Sequence, residues 1–86
     1  MSVTSMFHDT LAAIPKDVST QVNWSFAIAD KIDARLKELG ITQKEFAHRM
    51  GKTEAEVSRW LGGTHNFTLR TLSQISSALG TDLIQV

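Results

Sequence analysis

Apolar residues recur along most of this chain at the three- and four-residue spacing of amphipathic helices. Phe7, Leu11 and Ile14 stand at i, i+4 and i+7 and predict a short helix over residues 5–14, which Pro15 ends or bends. Val18, Val22, Ala29, Ile32 and Leu36 form a longer stripe flanked by Phe26. They predict a helix that starts between Lys16 and Ser25 and ends near Leu39, with Gly40 as its C-cap. Thr42 then acts as an N-cap, and Glu45 three residues on completes a capping box. The helix it opens runs to about Met50 and buries Phe46, Ala47 and Met50. Past Gly51-Lys52 the same T-x-x-E device returns as Thr53 and Glu56. It starts a helix with Val57, Trp60 and Leu61 on its apolar side, stopped by Gly62-Gly63. A loop from Thr64 to Phe67 leads to Thr68 and a last helix. Its expected core side is Leu69, Leu72, Ile75, Ala78 and Leu79, and Gly80 closes it. The tail from Asp82 to Val86 is too short for a helix, and its apolar and β-branched residues favour a short strand. The expected fold is all-α, a compact bundle of four to five helices with a short C-terminal strand.

The stretch from Ile41 to Gly63 reads as a helix-turn-helix. Ala47 is small enough for a second helix to cross close to it, and Gly51 sits at the corner, where a positive φ is often needed. Residues 22–86 are therefore read as a helix-turn-helix DNA-binding domain, preceded by an N-terminal extension over residues 1–21. In the DNA-binding form of this motif the second helix enters the major groove. Advancing about 100° per residue, Val57, Trp60 and Leu61 share one sector; Ala55 and Arg59 lie opposite, flanked by Ser58 and Glu54. These side chains suit base edges. Arg59 can contact guanine O6 and N7 together, Ala55 offers a methyl to thymine, and Ser58 serves a base or a phosphate. Glu54 can accept from cytosine or repel phosphate, although helix capping explains it as well.

Phosphate contacts are expected around that helix. Gln43 opens the preceding helix, and Lys52 and Thr53 border the N-terminus of the second. The polar loop Thr64-His65-Asn66 and Arg70 lie near its C-terminus; Asn66 suits a turn equally well. Trp60 belongs to the core by its position, and Gly62-Gly63 is a helix stop rather than a phosphate cradle.

Composition narrows the choice. The 86 residues make one domain. With no cysteine there is neither a disulfide framework nor a thiolate metal site. No apolar run approaches the ~20 residues of a membrane span, and the start lacks the pattern of a signal peptide, so a cytoplasmic protein without membrane partners is expected. His8, His48 and His65 are scattered, and no nucleophile motif is present. The expectation is a non-enzyme with no catalytic residue, metal or cofactor. Formal net charge is zero, but between Gly40 and Gly80 the cations Lys44, Arg49, Lys52, Arg59 and Arg70 outnumber Glu45, Glu54 and Glu56 by two. The sign suits double-stranded DNA, and the small size argues for two copies acting together. The stripe Phe7, Leu11 and Ile14 packs on its own domain or meets a dimer or toxin partner; Leu83, Ile84 and Val86 are further expected dimer or partner contacts, and Trp24 fits either the core or such a contact.

The strings I-T-Q-K-E-F-A, M-G-K-T-E-A-E-V-S-R-W-L-G-G and T-L-R-T-L-S-Q-I-S-S-A-L-G resemble the lambda-repressor-like, or Xre, helix-turn-helix family over residues 32–80. That resemblance implies a bundle of about five helices that binds operators as a dimer. It also implies that Gln43 holds a phosphate and that Glu54, Ala55 and Arg59 face bases. The chain stops where many members continue into a fifth helix, which leaves the dimer surface open. The string S-R-W-L-x-G-x-H-N-F-T-x-x-T-L further resembles HigA-type antitoxins. The function expected is a sequence-specific transcriptional regulator, a repressor binding a palindromic operator as a homodimer. The alternative is an antitoxin that also neutralises a partner toxin protein.

Overall fold

Pro15 sets the start of the first helix, because its ring fixes φ at −53° and its carbonyl receives the amides of Val18 and Ser19. The computed structural model describes residues 14–86, so Phe7 and Leu11 lie outside the described residues. Four helices follow: α1 over Lys16–Leu39, α2 over Gln43–Met50, α3 over Glu54–Leu61 and α4 over Leu69–Leu79. Helix α1 thus begins at the early end of its expected range and crosses the boundary drawn between extension and domain.

Glycines in the left-handed region end α1, α2 and α4. At the α2 corner, Gly51 (φ 66°) lets the Lys52 amide reach the Ala47 carbonyl at 2.9 Å and its own amide reach His48 at 3.1 Å. These two bonds satisfy carbonyls that would otherwise be orphaned. Thr42, Thr53 and Thr68 cap the starts of α2, α3 and α4, each hydroxyl accepting from the amide three residues on at 3.1 Å. Only this half of each capping box forms among the described residues. The Glu45 carboxylate instead accepts from Arg49 Nε, 3.1 Å away on the next turn.

The core gathers Ile32 and Leu36 of α1, Phe46 and Ala47 of α2, Val57 and Trp60 of α3, and Leu72, Ile75 and Leu79 of α4. Helix α3 rests on both α1 and α2, and α4 packs on α2. Phe46 meets the Trp60 ring edge-on, with centroids 6.2 Å apart.

Three expectations change. No strand forms among the described residues. Leu83 is 1% exposed and completes the core. Its amide donates to Ser76 Oγ and its carbonyl accepts from Lys31 Nζ, both at 3.3 Å. Side chains, not a neighbouring strand, satisfy the Leu83 backbone. Leu69 and Ala78 are exposed, because the buried sector of α4 is narrow. Leu72, Ile75 and Leu79 lie within about 60° of one another, while Leu69 and Ala78 fall nearly 90° to either side. The stripe on α1 is buried only from Ser25 onward; Val18 and Val22 continue it into solvent.

Candidate nucleic-acid interface

Packing on α1 and α2 decides which side of α3 remains uncovered. Val57 and Trp60 are buried, Leu61 is half-buried, and Glu54, Ala55, Ser58 and Arg59 are exposed together on the opposite side. Ala47 of α2 is buried, and its small side chain permits the close approach. The outward face is therefore a methyl, a hydroxyl, a carboxylate and a guanidinium on one rigid helix of eight residues.

Around this face lie free amides, hydroxyls and exposed cations, the groups that would bind an anion. Gln43 and Lys44 begin α2, and neither amide has a protein partner among the described residues, as expected for first-turn amides. Such amides, with the helix dipole behind them, attract phosphate. The Thr53 hydroxyl accepts from the Glu56 amide and keeps its own proton free to donate. Lys52 is exposed in the turn between the helices, and Arg70 is exposed in the first turn of α4. Of the five cations between Gly40 and Gly80, only Arg49 is engaged in an ion pair among the described residues. Lys44, Lys52, Arg59 and Arg70 have no carboxylate partner there.

The loop after α3 divides its residues. Thr64 is exposed. His65 is half-buried, its ring edge-on to Phe67 at 4.8 Å, and its carbonyl accepts from Ser25 Oγ at 2.7 Å. Asn66 lies in the wall of an apolar groove beside α1. That groove, about 1080 Å³, also brings together Trp24, Leu83, Ile84 and Val86, four of the residues expected at a partner contact. Trp24 is not core; it is 67% exposed. Ile14 is exposed in a bend ahead of α1. None of Gln43, Glu54, Ala55, Ser58 or Arg59 touches the groove; of the residues expected on DNA only Asn66 lines it, so the groove lies apart from the reading face of α3.

Sequence reasoning missed the clamp that holds this loop. Ser25 is the one buried polar residue of the described chain, and its bond to His65 ties α1 to the loop after α3. The signal was present: Ser25 stands between Val22 and Ala29, at a core position of the stripe. Beside it, Gly63 (φ 88°) lies against the Phe26 ring, and a β-carbon there would fall 2.3 Å from two ring atoms. Gly63, rather than Gly62, supplies the left-handed turn.

Among the described residues, a bundle of four helices that turns one short helix outward, with threonine-capped helix starts and the exposed Lys52 and Arg70 beside it, has the architecture of a helix-turn-helix domain. Residues 32–86 match the family model described as helix-turn-helix, and the chain belongs to that lambda-repressor-like, or Xre, family. Searches of curated proteins and of solved structures gave no match. The family implies DNA binding and transcriptional regulation. Among the described residues no helix is long and apolar enough to cross a membrane.

Proposed function

We propose that the protein is a sequence-specific transcriptional repressor that binds a palindromic operator as a homodimer. The observation that carries this reading is the solvent-facing set Glu54, Ala55, Ser58 and Arg59 on a helix anchored by Val57 and Trp60. In this reading Arg59 reads a guanine, Ala55 touches a thymine methyl, and Ser58 and Glu54 sharpen the choice. Gln43, Lys52, Thr53, Thr64, His65 and Arg70 hold the backbone in register without reading sequence. One such helix reads few base pairs, and four unpaired cations release few counterions, so two copies on two half-sites supply the affinity.

The test is selection of bound duplexes from a random pool. A palindromic consensus with half-sites about one helical turn (~34 Å) apart is expected. A sequence-blind pool would remove base reading from the outward face. A second reading, an antitoxin that also binds a toxin protein, is favoured by the groove beside Trp24, because it is a surface separate from the reading helix. Co-purification with the product of an adjacent toxin-like reading frame would support it.

A further inference from the structure

Helix α1 carries a charge pattern that ion pairing within the described residues and DNA binding leave unused, although Lys31 also donates to the Leu83 carbonyl. Asp17, Trp24 and Lys31 are spaced seven residues apart, so they share one face, and all three line the groove. The indole is at the centre with opposite charges at equal distances on either side. Among the described residues neither Asp17 nor Lys31 is in an ion pair.

We propose that a second copy of this chain covers the groove, with the two α1 helices antiparallel about a two-fold axis at Trp24. This rests on the homodimer reading above and assigns its interface. A two-fold contact is self-complementary: if one residue meets another across it, the reverse contact also forms. An antiparallel pairing centred on Trp24 sets Asp17 of each copy opposite Lys31 of the other. It also sets Thr20 opposite Ile28 and Gln21 opposite Ala27, all of which line the groove. The two charges are thus complementary to themselves in the antiparallel sense, and neither has an oppositely charged partner among the described residues.

The area is sufficient. Trp24 at 67% exposure leaves about 150 Å² of its surface uncovered. With Leu69, 74% exposed, and Val86, both in the groove wall, the uncovered apolar surface is on the order of 400 Å². A standard interface buries ~800 Å² per partner, somewhat over half of it apolar. The half-buried Ile28, Phe67 and Ile84 in the groove make up the remainder. The outward residues of α3 lie outside the groove, so pairing leaves the DNA face free.

Sedimentation of the full chain tests the proposal, with circular dichroism to confirm the fold because Lys31 also holds the Leu83 carbonyl. A dimer is expected at micromolar concentration. Trp24→Lys should raise its dissociation constant at least about thirtyfold, the cost of losing a central aromatic anchor. Asp17→Lys and Lys31→Glu should each weaken it about tenfold through two mismatched charge pairs. Mixed together, these two variants should form a heterodimer, because every charge pair is then opposite in sign. A dimer indifferent to all three changes would overturn this interface and leave the homodimer reading standing. A chain that is monomeric both free and on its operator would overturn both. A monomer whose Trp24 is nonetheless shielded from acrylamide quenching would place residues 1–13 of the same chain in the groove and overturn the proposal.

Discussion

Replacing Gly63 by alanine separates two constraints that meet at one atom. The backbone there has φ 88°, which an L-residue adopts at a cost of about 1–2 kcal/mol. The new β-carbon would also fall 2.3 Å from Cδ1 and Cε1 of Phe26, more than 1 Å inside ordinary contact. Phe26 is 47% exposed, so its ring can swing toward solvent rather than press on the core. The swing forfeits part of its packing, about 1 kcal/mol for some 40 Å² at ~25 cal/mol/Å². The total is roughly 2–3 kcal/mol, against a net stability of about 4–12 kcal/mol for a domain of this size. With a urea m-value near ~1 kcal/mol/M, the unfolding midpoint should fall by about 2–3 M. The same change made in a Phe26→Ala background should cost only the backbone part, about 1–2 kcal/mol. An equal cost in both backgrounds would show that the ring does not confine Gly63. A loss below about 0.5 kcal/mol in the parent would refute the backbone argument as well.

Arg59→Ala should cost about 1–3 kcal/mol in operator binding and relax the preference at one base pair of each half-site; duplex selection reads both, and an unchanged consensus would remove Arg59 from the reading face. Gln43→Ala should weaken binding to all duplexes alike, because a phosphate contact carries no base information, and a loss confined to one base in competition titrations would contradict that role. Leu83→Ala should destabilise the domain by about 2–5 kcal/mol, since a fully enclosed leucine leaves a cavity, and an unchanged thermal midpoint would return Leu83 to the surface.

The helices and their ends were legible in the sequence because capping is local. Thr42, Thr53 and Thr68 each bond an amide three residues away, and Gly40, Gly51 and Gly80 each close a helix within a few residues of themselves. The outward set on α3 was legible for a similar reason: Val57 and Trp60 mark the buried side, and helical geometry places Arg59 opposite. Contacts between segments distant in sequence were not legible. The bond from Ser25 to His65 spans forty residues, and that from Lys31 to Leu83 spans fifty-two. Periodicity showed that Leu83 and Leu69 are apolar, not which of them meets a neighbour. The tertiary structure buried the first and exposed the second, because α4 turns only a narrow sector inward while the tail folds back over Ser76 and Lys31. It likewise placed Trp24, Ile84 and Val86 around one groove. Local pattern governs which face of an element can be buried; only packing among elements decides what covers it.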